Sequence, residues 1–278
     1  MQYLIVEGNR QRLDGGAMFG NAPRALWAKW LEPDAEHRVQ LATRGLYVPD
    51  LNGRAVLFET GVGAFLEPGL SERYGVYERE HVLLRSLDVL GVSHEDIDVV
   101  VLSHLHFDHA GGLFAPYQEG AEPRLLFPNA KFLVSPAAWQ RAREPHLRDR
   151  ASFIPQLPGL LEASGRLELV DDATSAVLGD AVQFHFSDGH TPGLMMSQIG
   201  GSGGVLFCSD LIPARPWVHL PVSMGYDRCA EQLVDEKRRI LETVVEQQLK
   251  LCFVHDIDCA LARVQVDARG RYFAVPAT

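Results

Sequence analysis

The sequence predicts a layered α/β protein: two mixed β-sheets packed together with helices outside, a four-layer arrangement. Three observations carry that expectation. Short β-rich runs recur along the whole chain, most of them bounded by Gly, Asp, Pro or Asn. Helical patterns are interspersed among them in both halves, and each needs a sheet face to cover. Of the 278 residues 46% are hydrophobic and 22% charged, which supplies a sizeable core and argues against disorder.

In chain order the strands are expected at Gln2–Val6, Gln40–Val48, Ala55–Glu59, Ile97–Leu102, Lys131–Val134, Val182–Phe186, Val205–Cys208 and Leu251–Val254. Helices are expected at Glu78–Leu90, Ala137–Arg143 and Ala230–Gln248. In the last, Leu233, Ile240, Leu241, Val244 and Val245 stand against charged neighbours at helical spacing. The stretches Ala115–Pro128 and Pro145–Pro158 read as surface excursions. With no repeat, heptad run or low-complexity segment to divide it, the chain reads as one domain, residues 1–278.

Near the start, an Asp14–Gly20 loop followed by Ala25–Trp30 brings Met18, Phe19, Trp27 and Trp30 into a short span. An amphipathic helix docked on its own core is the simplest reading. A pocket wall or a homodimer contact is the sharper one, because aromatics and Met favour interfaces.

Composition also narrows the function. A formal charge of −10 with no basic run works against nucleic acid as a partner, since that affinity comes from cations neutralising phosphates. The segment Met1–Arg12 lacks a positive leader with a long apolar stretch, and nothing later has the length of a membrane span. No membrane partner is expected, and the reading is a cytoplasmic enzyme with a small-molecule substrate. Cys208, Cys229, Cys252 and Cys259 have no C-x-x-C spacing and read as free thiols of a reducing compartment.

The chemistry is concentrated in Ser103-His104-Leu105-His106-Phe107-Asp108-His109-Ala110-Gly111-Gly112, directly after the apolar run Val99–Leu102. In an extended segment side chains alternate, so His104 and His106 project together while Leu105 and Phe107 point into packing. Two imidazoles can then share one ion. If the chain turns next, Asp108 and His109 are presented to a second ion, and the small Ala110-Gly111-Gly112 lets the following backbone pass close by. Imidazole nitrogen with carboxylate oxygen suits zinc, iron or manganese rather than calcium. Further donors stand at strand ends elsewhere: His190 in the turn Ser187–Gly193, Asp210 after Val205–Cys208, and His255 after Leu251–Val254. His190 makes a good third ligand for the first ion.

On these residues the sequence resembles the metallo-β-lactamase superfamily of metallohydrolases: the H-x-H-x-D-H loop, the later G-H-T-P-G turn, an Asp after a buried strand and a final His. The resemblance spans about Ile97 to His255 and implies an αβ/βα sandwich of two similar halves with metals at one edge. It also implies that His104, His106 and His190 hold the first metal, Asp108, His109 and His255 the second, with Asp210 bridging. The cofactor is then two divalent metal ions, zinc first, with iron or manganese as alternatives. His109 and Asp210 stand where the dizinc β-lactamases usually have another residue and a Cys, which disfavours antibiotic hydrolysis. The loop Ser103–Gly112 looks most like the lactonase branch and is also similar to glyoxalase-II-like thioesterases. Two features depart from the pattern. Glu59-Thr60-Gly61 replaces the usual Asp-x-Gly turn, and Leu211-Ile212-Pro213 follows Asp210 where the best-known lactonases carry a Tyr.

The implied reaction is hydrolysis of an ester, lactone or thioester by a water that loses its proton between the two ions, with Asp108 and Asp210 as the catalytic carboxylates. The alternatives are phosphotriester or phosphodiester hydrolysis, a mononuclear-iron persulfide dioxygenase, and a non-catalytic binding module. His219, in the Pro-bounded Arg215–Pro221 segment, and Tyr226 are candidates for the substrate pocket or for orienting ligands. Met18, Phe19 and Glu59 complete that group.

Overall fold

A computed structural model of the protein describes residues 1–277. Its fold class is mixed α/β, as expected, and the chain forms two compact units. The first comprises Met1–Gln11 and Ala42–Ala181, the second Arg12–Leu41 and the chain from Val182 onward.

In the first unit six strands run in the order Leu4–Val6, Gly45–Val48, Val56–Phe58, Val99–Val101, Lys131–Val134 and Leu167–Leu169. The first two pairings are antiparallel and the last three parallel. Parallel neighbours are covered on both faces, which explains why Val99–Val101 is buried at every position. Leu83 and Leu87 of the helix Val82–Val89, Ala138 and Trp139 of Pro136–Arg143, and Leu157 and Leu161 of Leu157–Ala163 pack into this unit's core.

The second unit has its own six-stranded sheet, ordered Tyr272–Pro276, Leu261–Val266, Lys250–Cys252, Val205–Phe207, Leu194–Ile199 and Val182–Ser187. Every pairing is antiparallel except that of Val205–Phe207 with Lys250–Cys252. Leu233, Ile240, Leu241 and Val244 of the helix Ala230–Glu246 bury against its core. Gln11–Asp14 and Arg38–Leu41 make a separate two-stranded ribbon.

Several expectations shift. The run Gln40–Val48 is not one strand: it breaks at Ala42–Arg44 into Arg38–Leu41 and Gly45–Val48, which belong to different sheets. Leu194–Ile199 was not expected as a strand, since Met195, Met196, Ser197 and Gln198 carry little β-propensity, yet it is a fully buried inner strand. The strands Leu167–Leu169, Leu261–Val266 and Tyr272–Pro276 also lie outside the expected set. Pro145–Pro158 is only partly a surface excursion, because Phe153, Ile154 and Leu157 dip into the first core. Asp14–Gly20 is not a loop: Gly15–Phe19 is a short helix whose first turn is capped by the Asp14 carboxylate, accepting from Ala17 N at 2.7 Å. The last helix ends at Glu246, with Val245 facing solvent. No helix among the described residues is long and apolar enough to cross a membrane.

Candidate metal centre

In the first unit the chain leaves Val99–Val101, bends at Ser103, is extended again at His106 and turns into the short helix Phe107–Ala110. Leu105 and Phe107 join the apolar core, as alternation requires. His104, His106, Asp108 and His109 are all buried. His104 Nε2 stands 3.0 Å from His106 Nδ1, the His104 and His109 rings lie 4.1 Å apart between centroids, and Asp108 Oδ1 is 3.8 Å from His109 Nε2. The small residues do what their size suggests. A Cβ on Gly112 would sit 2.1 Å from the Thr60 carbonyl oxygen, and the Gly112 amide donates to Gly61 O at 2.8 Å.

That close approach brings the turn Glu59-Thr60-Gly61 against His109. Thr60 N and Thr60 Oγ1 both donate to His109 O, at 3.0 and 2.9 Å. Glu59 Oε2 lies 3.0 Å from His109 Nδ1, and Glu59 Oε1 accepts from Ser103 N at 2.5 Å. Glu59 adopts a left-handed backbone with φ 64°, a costly state for a residue other than glycine and one that clusters at functional sites. The longer side chain in place of the usual Asp therefore reaches the imidazole. On the other side of the loop, Gln11 Nε2 donates to Asp108 Oδ2 at 2.8 Å.

In the second unit strand register brings the donors together. Val205–Phe207 and Lys250–Cys252 are parallel with Phe207 opposite Cys252. Three residues beyond that pair come Asp210 and His255, which therefore emerge side by side, with Asp210 Oδ1 3.1 Å from His255 Nε2. The turn after Val182–Ser187 delivers His190 at the same sheet edge, its Nε2 3.3 Å from Asp210 Oδ2. Its Nδ1 stands 2.9 Å from Asp227 Oδ1, and Asp227 is itself fixed by Met224 N on Oδ2 at 2.6 Å.

The donor chemistry fits divalent transition ions. Glu59 and Asp227 accept hydrogen bonds from Nδ1–H of His109 and His190, which leaves the lone pair of each ring on Nε2, the arrangement that orients imidazoles toward a metal. Two ligand atoms each about 2.0 Å from a tetrahedral ion stand about 3.3 Å apart, close to the 3.0 Å between His104 and His106 nitrogens and the 3.1 and 3.3 Å around Asp210. No thiolate takes part in these contacts. Burial pushes the Cys208 thiol well above its ordinary range, and none of the four cysteines is in a disulfide.

The sequence model of the metallo-beta-lactamase superfamily matches residues 46–246. The chain belongs to this superfamily. An N-acyl homoserine lactonase of Bacillus sp is 25% identical to it over 238 residues, 84% of this chain and 82% of the relative. A probable metal-dependent hydrolase from Staphylococcus aureus shares its fold with a TM-score of 0.86 at 24% identity, covering 100% of this chain and 98% of the other. AidC, a dizinc quorum-quenching lactonase, follows with a TM-score of 0.79 at 22% identity, covering 99% and 94%. This member of the metallo-beta-lactamase superfamily is a metal-dependent hydrolase.

The remaining expected site residues are placed less centrally. Met18 and Phe19 are buried in the second core, with Phe19 stacked 4.4 Å from Trp217, which is the docked-helix reading of this segment. His219 is exposed and lines a cavity of about 610 Å³ with Trp30, Arg215, Arg271 and Tyr272. Partial desolvation by the cavity wall, together with the charges of Lys237 and Arg271, holds its imidazole below the ordinary range. Tyr226 is exposed, one residue before Asp227. Gln11 and Asp227, which contact Asp108 and His190, lie outside the residues singled out in the sequence.

Proposed function

We propose that the two groups of donors form one dinuclear centre and that the protein hydrolyses a lactone, or a closely related carboxylic ester, of a small molecule. His104, His106 and His190 would hold one ion and Asp108, His109 and His255 the other. The observation that carries this reading is Asp210: its two oxygens face different imidazoles, His190 at 3.3 Å and His255 at 3.1 Å, so a single carboxylate can serve two ions. Zinc suits the imidazole-rich donor set, and a relative of this fold is described as dizinc.

Bound there, a pair of divalent cations supplies Lewis acidity toward a carbonyl oxygen and makes water acidic enough to attack near neutral pH. The protein's own residues set the stage for that chemistry. Glu59 and Asp227 keep the Nδ1 protons of His109 and His190 in place. Gln11 donates to Asp108 Oδ2, which restrains the carboxylate with Oδ1 on the His109 side. The burial of these donors lowers the local dielectric, so charge developing on a substrate oxygen is felt strongly. The preference for a lactone rests on the N-acyl homoserine lactonases among the relatives. Free buried thiols support a cytoplasmic setting.

The test is a panel of N-acyl homoserine lactones, simple lactones, thioesters and phosphotriesters offered to the zinc-loaded protein. We expect the lactones to give the highest kcat/KM, and His109→Ala and Asp210→Ala each to lower it at least about a hundredfold with an unchanged circular dichroism spectrum. Faster turnover of phosphotriesters, or full activity in both variants, would refute the reading.

A further inference from the structure

The helix Ala230–Glu246 covers the second core with the buried positions Leu233, Glu236, Lys237, Ile240, Leu241 and Val244. An amphipathic helix places apolar side chains on such a stripe, yet two of these six are charged. Glu236 is 6% exposed and Lys237 0%. Buried charges are costly unless they find hydrogen-bonding partners, and here each is met by a loop beside the site.

Glu236 Oε2 accepts from Ser187 Oγ at 2.6 Å and Gly189 N at 3.0 Å, and the Asp188 amide lies 3.2 Å from both carboxylate oxygens. Gln232 Nε2 donates to Oε1 at 2.8 Å. One carboxylate thus holds the whole turn that delivers His190. Gly189 makes the fit possible, since a Cβ there would lie 2.4 Å from Leu233 Cα in the same helix. Cys229 N, at the start of the helix, donates to Gly189 O at 2.8 Å, and Arg228 N to His190 O at 3.1 Å. Lys237 Nζ donates to Val222 O at 2.6 Å and to His219 O at 3.2 Å, securing the segment that leads to Asp227. Asp227 is the residue that fixes His190 Nδ1. One turn of a rigid helix therefore restrains His190 twice, through its backbone and through its partner.

We propose that Glu236 is a positioning residue of the metal centre, docking the Ser187–His190 turn onto the helix so that His190 Nε2 is held ready for its ion, with Lys237 doing the same for the Asp227 segment. The proposal rests on His190 being a ligand, as inferred above. A role confined to stability would change unfolding and leave metal affinity alone.

The experiment is a competition titration of zinc against a chromophoric chelator, on the metal-free full chain and its variants, each checked by circular dichroism. His190→Ala identifies the dissociation constant that His190 governs. We expect Glu236→Leu to weaken that constant by about tenfold to a hundredfold, in line with loss of a ligand's supporting partner, and to leave the other within about twofold. Glu236→Gln, which keeps one acceptor oxygen, falls in between, and Lys237→Met weakens the same constant. If Glu236→Leu does not fold, Glu236→Gln decides, and an unchanged constant in the folded variant overturns the proposal. If wild type binds one ion only, the dinuclear reading fails while the Glu236 proposal is still judged on that constant. If His190→Ala changes no constant, the proposal falls.

Discussion

Glu59 shows how much a single carboxylate can decide. It accepts from His109 Nδ1 and from Ser103 N at once, so it must be an acceptor on both oxygens. A glutamine of the same shape has one acceptor and one donor. If its NH2 faces His109, the imidazole proton moves to Nε2, the atom needed for a metal. Glu59→Gln should therefore weaken zinc binding by about tenfold to a hundredfold in a competition titration, while an unaltered affinity would show that the His109 tautomer is set by something else. The seven candidate ligands stand out in the sequence because they cluster in one loop or lie within a few residues of the end of an apolar run. The residues behind them do not. Gln11 is 97 positions from Asp108 with no pattern to connect the two, and Asp227 is one polar residue in a turn. Glu236 left a usable trace: a charge on the apolar stripe of a helix breaks the local rule, and such breaks gather at functional sites.

At the scale of elements, the strands that end in ligands were found and some of those between them were missed. Lys131–Val134 was placed to the residue and Val205–Phe207 to within one, since branched and aromatic runs with sharp ends define them. Leu194–Ile199 has neither, and only its neighbours on both sides make it a strand. Gln40–Val48 looked continuous because sequence periodicity does not register that a chain passes from one sheet to another. The Gly111-Gly112 pair was read for its size, and the structure bears this out: added side-chain atoms would collide with the backbone of the 60–62 turn. Gly112→Ala should cost more than about 2 kcal/mol in chemical unfolding. A loss below about 0.5 kcal/mol would mean that the turn gives way easily.

For the molecule as a whole, two buried bases tie stability to pH in the same direction. His81 accepts from Leu84 N on Nδ1 and lies 3.1 Å from Gly112 O through Nε2, a neutral ring in a buried site. Burial pushes it down to about 4 from 6.5. Below pH 6.5 the unfolded chain takes up a proton that the folded one refuses, so stability falls as pH drops from 6.5 toward 4, by about 2 kcal/mol at pH 5. Burial likewise draws the Lys237 ammonium down to about 7, with Asp227 opposing, so its contribution grows as pH rises from 7 toward the 10.5 of an unfolded lysine. Urea unfolding of wild type and His81→Asn, both in chelator, should show the difference between them changing by about 2 kcal/mol from pH 7 to pH 5. Parallel curves would contradict the assignment to His81.

On the reading proposed above, donors from both units meet on two ions. Anomalous diffraction from crystals of the zinc-loaded protein addresses it directly. We expect two peaks about 3.5–4 Å apart, one touching His104, His106 and His190, the other Asp108, His109 and His255, with Asp210 between them. A single peak, or peaks whose ligands come from one unit alone, would contradict it.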